Sequence, residues 1–419
     1  MATAQTTATG TSTRRLPLWV ACLAVAAFVA GTDNYVIAGV LPDIASSFTI
    51  SDAVTGQLIT VFSITYAVTA LIMAVWTSRF PRRPVVLIAM SAFIAANIGA
   101  TAAPDYAVLM AFRVLAALAA ATVMPSAFTI TVGLAPRAQI GRYLGMVMFG
   151  QALALVAGVP IGVWIGSTFG WRSTLLFVAC LAALVLVSLI VWLPGLDVIQ
   201  RLSLRTRLAP LANRAVVLGL IGLIVGSTGN FMTVTYIAPI THYLAGSTAG
   251  TLSLLLSVMG VASALGAIRG GKISDRWGPG KTIVASLVCQ VAVTAAFGFC
   301  GLLGVGKVPI VVVGVLLTGW GIFGGALGPP LQARLLMLAG SAGNEVVALN
   351  SAGVFVGIAL SGAFGGAILA ASNPDGVLWA AAGFGALAAV IMVVSIYGVK
   401  VKAGKTADQP AAGLRATPE

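Results

Sequence analysis

Two side chains bring charge to places that repel it. Asp33 lies within an apolar run over residues 17 to 40, and Arg113 within another over residues 106 to 133. A carboxylate or guanidinium among apolar neighbours is costly unless it is neutralised, paired or wetted. A carboxylate so placed can take up and release a proton, whereas a guanidinium keeps its charge and holds whatever anion reaches it. Counting about 1.5 Å per helical residue, from Leu41 back to Asp33 and from Tyr106 on to Arg113, puts both roughly 10 to 12 Å below one surface. Equal depth permits a pair. Protonation of Asp33 would then release Arg113 to another partner, which makes the pair a proton switch; the other readings are a static bridge that keeps two helices in register, or no contact.

The elements that must position these residues are themselves apolar. The 419-residue chain is 59% hydrophobic and only 8% charged, with a mean hydropathy of +1.05. Such a surface could not stay solvated as a soluble globule, so a bilayer is its main solvent. Taking about 20 apolar residues per crossing, the sequence predicts spans over residues 17–40, 54–77, 84–103, 106–133, 143–167 and 172–194. A second set follows over residues 214–238, 250–270, 282–303, 308–336, 346–371 and 377–400. The domain organisation expected is a tail (1–16), a six-helix bundle (17–194), a linker (195–213), a second six-helix bundle (214–400) and a tail (401–419).

Twenty of the 23 Lys and Arg residues fall in every second gap between spans. They are Arg14 and Arg15; Arg79, Arg82 and Arg83; Arg137 and Arg142; Arg201, Arg205, Arg207 and Arg214; Arg269, Lys272, Arg276 and Lys281; Arg334; and Lys400, Lys402, Lys405 and Arg415. The intervening gaps hold only Arg172 and Lys307, beside Asp43, Asp52, Asp105 and Asp375. By the positive-inside rule the basic gaps, the linker and both termini face the cytoplasm. Small clusters at span ends, rather than one basic face interleaved with aromatics, argue against nucleic acid as the partner despite a net charge of +13.

Other chemistry-bearing side chains are few. Asn34, Tyr35, Tyr66, Asn230, Tyr236, Trp320 and Asn350 are polar or aromatic residues inside spans, and as a set they are candidates to line a cavity. Gly158, Gly162, Gly166 and Gly170 recur every fourth residue around Pro160, so one face of the fifth span is nearly bare backbone, suited to close helix packing or to a sliding seam. Gly353, Gly357, Gly362, Gly365 and Gly366 repeat the theme in the eleventh. Cys22, Cys180, Cys289 and Cys300 read as small buried hydrophobes, and the sole histidine, His242, falls in the gap after span seven. With no HExxH, phosphate loop or zinc spacing, no metal or cofactor is expected, and the sequence argues against an ATP-driven pump, a membrane protease or any other enzyme.

The two halves look related, since the gap after the second span of each carries a basic turn: Arg79-Phe80-Pro81-Arg82-Arg83, and Asp275-Arg276-Trp277-Gly278-Pro279-Gly280-Lys281. From Gly271-Lys272-Ile273-Ser274-Asp275-Arg276-Trp277-Gly278 to Lys281 the chain resembles the loop signature of the major facilitator superfamily. Within that superfamily it is similar to the twelve-span bacterial drug and sugar-efflux proton antiporters, such as chloramphenicol and arabinose exporters. The first-half copy keeps Arg79, Arg82 and Arg83 but has Ser78 and Pro81 where the family has Asp and Gly. Arg113 matches the family's fourth-span arginine, with Ala117 in place of the glycine that follows. Gly158-Val159-Pro160-Ile161-Gly162 resembles the fifth-span antiporter signature, and Gly31-Thr32-Asp33-Asn34-Tyr35-Val36-Ile37 the first-span segment, where the acid is often Glu.

The resemblance implies an all-α major facilitator fold of twelve transmembrane helices in two six-helix pseudo-repeat bundles, rocking about a midplane cavity. It implies proton coupling at Asp33 and Arg113, a conformational latch at Gly271, Asp275, Arg276 and Gly278 with Arg79 in the first half, and an antiporter-type helix at Gly158, Pro160 and Gly162. The expected activity is export of small amphipathic molecules, drug-like compounds or sugars, in exchange for protons. Import of a sugar or metabolite by symport or uniport is the alternative. The partners expected are the substrate, protons and the lipid of a bacterial inner membrane, with the protein a monomer.

Overall fold

A computed structural model describes residues 17–136, 139–195, 208–339 and 343–398. The expected tails, most of the linker, and Arg14, Arg15, Arg137, Arg201, Arg205, Arg207, Lys400, Lys402, Lys405 and Arg415 lie outside those residues. Among the described residues twelve helices are long and apolar enough to cross a membrane. Helices are the expected outcome for such segments, because in hydrocarbon every backbone N–H and C=O must find its partner within the segment.

The spans of the first half are Leu18–Phe48, Gln57–Trp76 preceded by the short turn Asp52–Thr55, Arg82–Thr101, Tyr106–Leu134, the pair Ile140–Leu153 and Val159–Phe169, and Trp171–Trp192. Those of the second are Arg214–Thr235, Ala249–Trp277, Pro279–Gly301, Ile310–Ala339, Gly343–Ala371 and Pro374–Val393. Polar side chains start several of them: Asp105 accepts from the Val108 amide at 2.9 Å, Asn213 from Ala215 at 2.9 Å, and Thr248 and Thr251 form a reciprocal capping box. One large core cluster lies mainly among the first six spans, a second joins the two halves, and a third lies within the second six.

Several boundaries differ from the sequence reading. The first helix does not stop at Leu41 but runs through Pro42 to Phe48, ending where Thr49 turns left-handed at φ 56°. Its last turns carry the exposed Asp43, Ser46 and Ser47, so they project past the apolar zone. Span seven ends at Thr235, and a separate short helix, Ile237–Ala245, carries His242, so the histidine is not in a loop. Span eight continues to Trp277, which moves Gly271, Asp275 and Arg276 from a loop onto a helix; Gly278, at φ 83°, makes the turn that only glycine adopts without strain. Arg334, read as a gap residue, is buried inside span ten, and Arg82 is buried at the start of span three, so Arg113 is not the only sequestered arginine. Of the four cysteines only Cys22 is buried, and Cys180 is exposed.

The end of each span and the start of the next share a face, which gives a basic face (Arg82, Arg83, Arg142, Arg214, Arg269, Lys272, Arg276 and Lys281) and a far face (Asp43, Asp52, Asp105 and Asp375). Close approaches between the halves gather on the far side. Gly362 of span eleven meets Thr60 and the Gly56 carbonyl before span two, and Tyr236 fills the space beside Gly56, Gly365 and Gly366. The Ser253 hydroxyl donates to the Pro160 carbonyl at 2.8 Å, tying span eight to span five.

Candidate functional site

Asp33 and Arg113 meet. Arg113 Nη1 donates to both carboxylate oxygens, at 2.9 and 3.0 Å, and Nη2 lies 3.4 Å from the Asp33 backbone carbonyl. The side chains are 0% and 1% exposed, so the pair is held away from both solvents. A cation fixed against both oxygens is the geometry that lets a carboxylate stay ionised in a low-dielectric interior. Arg113 also lies over the Phe62 ring, 4.4 Å from its centroid. Asn97, on span three, is 1% exposed and belongs to the same interior; its Nδ2 donates to the Phe93 carbonyl at 3.1 Å while its Oδ1 has no partner among the described residues.

The glycine face of span five packs against the segment bearing Asp33 rather than against the other half. A Cβ on Gly158 would strike Thr32, one on Gly162 would strike Val36, and one on Gly166 would crowd Thr174 and Val40. Here span five opens into a π-turn over Ala154–Gly158 just before Pro160. π-Turns often mark functional positions in helices. The residues of this span that face the second half are the neighbouring ones: Leu155 and Val156 lie against Gly260 of span eight.

The seven candidate cavity residues are spread over several environments. Tyr35 lines a crevice between the halves with Ala38, Gly39, Leu155, Val159 and Leu256, and it stacks on Phe231 with ring centroids 6.0 Å apart. Tyr66 stacks on Phe355 of span eleven at 3.7 Å. Asn34 and Trp320 are buried, and among the described residues Asn34 Oδ1 and Trp320 Nε1 have no partner; nor has Oδ1 of the half-buried Asn350. Tyr236 is fully buried and donates to the Gly362 carbonyl at 2.7 Å. Asn230 sits in a second crevice, inside the second half, and accepts from Gln290 Nε2 at 3.1 Å. Each crevice has room for about one water.

Asp275 and Arg276 are exposed and form no ion pair among the described residues, and Arg79 is exposed on a short 3₁₀ turn. Buried Arg334 instead ties span ten to the end of span twelve, donating to the Ser395 hydroxyl at 3.1 Å and its carbonyl at 2.7 Å. Phe62, Asn97 and Gln290 escaped the sequence reading. Asn97 and Gln290 carry the same signal as the residues that were chosen, an amide inside an apolar span, whereas a phenylalanine in such a span carries none.

Twelve spans around one buried ion pair match a known architecture, and residues 23–345 match the Major Facilitator Superfamily. The chain belongs to the major facilitator superfamily. This facilitator is 27% identical over 380 residues to the uncharacterized MFS-type transporter YbcL of Bacillus subtilis (strain 168), covering 91% of this chain and 96% of that protein. It is 30% identical over 349 residues to the inner membrane transport protein YdhP of Escherichia coli (strain K12), covering 83% and 88%. Its fold resembles the crystal structure of a D-xylose-proton symporter, with a TM-score of 0.74 at 17% identity, covering 89% of this facilitator and 96% of that chain. The facilitator is a multi-pass membrane transporter, with twelve membrane-spanning segments among the described residues.

Proposed function

We propose that this transporter exports small amphipathic molecules in exchange for protons, with Asp33 carrying the proton and Arg113 answering its charge. The observation that carries the reading is the contact of one guanidinium nitrogen with both carboxylate oxygens, at 2.9 and 3.0 Å, with both side chains buried in the interior of a transporter. A carboxylate in such a place is a functional site by default. Its burial means that a proton reaches it only when the surrounding helices part, which ties protonation to conformation. Closure on the far side suits a step of the cycle in which the basic face, taken as cytoplasmic with both termini, admits substrate to the crevice by Tyr35. The antiporter-type span five favours export, and the membrane of residence is the bacterial inner membrane. Of the candidate cavity residues, Asn34, Trp320 and Asn350 keep polar atoms without a partner among the described residues, and these have hydrogen bonds left to offer a substrate; Tyr66 offers its ring.

If one proton enters per neutral substrate molecule, about 100 mV of membrane potential supplies roughly 2.3 kcal/mol and one pH unit about 1.4 kcal/mol. Together these sustain a substrate gradient on the order of 500-fold. The test uses inside-out vesicles with an imposed pH gradient, candidate compounds added singly, and proton release followed for wild type and Asp33→Asn. Compound-dependent release in wild type alone is the expected result. Equal release from both variants would move the proton site elsewhere, and compound movement in the same direction as protons would replace export by symport.

A further inference from the structure

The buried pair does not end at Arg113. The guanidinium lies 4.4 Å from the centroid of Phe62, the Phe62 ring is stacked near Tyr66 at 6.5 Å and 25°, and Tyr66 is stacked on Phe355 of the other half at 3.7 Å and 20°. Phe62 is 1% exposed and sits one helical turn before Tyr66 on span two, so the two rings move with one helix face. A second ring pair, Tyr35 on Phe231 at 6.0 Å and 1°, bridges the halves beside it. Two of the contacts in this row depend on an aromatic ring at residue 62: a leucine could fill the space but would neither attract a cation nor stack.

We propose that Phe62 is the positioning residue through which the charge state of the Asp33–Arg113 pair reaches the aromatic layer between the two halves. The inference rests on the proton-site reading given above. With Asp33 ionised, the contacts of Nη1 with both carboxylate oxygens and of Nη2 with the Asp33 carbonyl pin Arg113 over the Phe62 ring, and that ring holds Tyr66 in register with Phe355. Once Asp33 takes a proton, the guanidinium loses its anion, Phe62 loses its cation, and the Tyr66–Phe355 stack that joins the two halves midway along spans two and eleven loosens, freeing the far-side contacts to part. Proton occupancy thereby biases the equilibrium between the halves through contacts that differ in the two charge states, which is what coupling requires. The charged and titratable groups around this row are Asp33 from span one, Arg113 from span four, and the phenols of Tyr66 on span two and Tyr35 on span one; span three contributes the uncharged Asn97.

The test is a distance measurement on the full-length protein in lipid nanodiscs, with native cysteines replaced and spin labels at the exposed far-face positions Val54 and Ser372. The probe is pH itself, varied between 5 and 9 without substrate. Wild type should shift its ratio of parted to closed far faces by on the order of tenfold. Asp33→Asn should be flat with pH, Phe62→Leu should retain less than about a twofold shift, and Phe62→Tyr, which restores a ring, should recover most of it. A merely structural phenylalanine would change the thermal midpoint but leave the pH response intact. Should Phe62→Leu fail to fold, Tyr66→Leu and Phe355→Leu break the same row farther along and should flatten the response in the same way. A full response in Phe62→Leu, or in both of those variants, overturns the role of Phe62 while leaving the proton site standing. A full response in Asp33→Asn, or none in wild type, overturns both.

Discussion

The two halves solve the same packing problem with opposite chemistry. Asp33 and Asn230 stand as far apart in the sequence as Arg79 and Arg276, the arginines of the two basic turns, so they occupy matching places in the repeat. In the first half the acid is held by Arg113 at 2.9 Å, and in the second the amide accepts from Gln290 at 3.1 Å. Both are polar couples inside helix bundles, yet only one can change its charge. Under the proposed function, one bundle responds to protons while its partner serves as an inert mate. The difference also predicts how each half breaks.

The largest effect belongs to the charged couple. Asp33→Asn leaves a buried guanidinium that cannot shed its charge, and the expected loss is about 3–5 kcal/mol. In Arg113→Gln the lone carboxyl can discard its charge by taking up a proton, an uptake that costs about 1.4 kcal/mol for each pH unit above the unfolded carboxyl's value, so this variant's loss should be smaller than that of Asp33→Asn at pH 5 and should grow toward pH 8. Unfolding midpoints in detergent at pH 5 and 8 measure both. Equal losses at both pH values would mean that the interior is wetter than its 0% and 1% exposures suggest.

How much of this was legible in the sequence depends on what each residue had to reveal. Charge in an apolar run is a loud signal, and equal depth allowed a pair of Asp33 with Arg113 without deciding between a switch, a static bridge and no contact; the structure shows the contact, although the depth had been counted from Leu41 and the helix ends at Phe48. Pro42 follows directly on the expected end of the first span, where proline usually ends a helix, yet the helix runs through it for six more residues to Phe48. The basic motif at Gly271 to Arg276 reads as a loop by composition, and is helical because Gly278, just after it, supplies the turn. Which way the glycines of span five face could not be read from their spacing; Thr32 and Val36, on a helix far away in sequence, decide it. The row from Arg113 through Phe62 and Tyr66 to Phe355 was invisible, since a phenylalanine among apolar residues looks like any other until a cation is found above it.

The neutral couple should break more gently. Gln290→Leu removes the donor to Asn230 Oδ1 and strands a largely buried acceptor, an expected loss of about 1–3 kcal/mol, whereas replacing both residues with leucine should be nearly neutral. Neither effect should change between pH 5 and 8, in contrast with the first half. A double-mutant cycle on unfolding midpoints measures the coupling, and a pH-dependent result would mean that the second half also senses protons.

The smallest effect on stability is expected where the two basic turns differ. Asp275 is exposed at the end of span eight and pairs with no cation among the described residues, so Asp275→Asn should change stability by less than about 0.5 kcal/mol. If Asp275 and Arg276 latch neighbouring helices when the basic face closes, the same substitution should slow transport while leaving the unfolding midpoint where it was, because the lost contact belongs to the other conformation. Arg79→Ala in the first half, where Ser78 stands in place of the acid, should leave both quantities nearly unchanged. Initial rates in vesicles alongside midpoints in detergent separate the cases. A fall in rate for Arg79→Ala equal to that for Asp275→Asn would mean that both turns latch without needing the carboxylate, and that the asymmetry between the halves is confined to the buried couples.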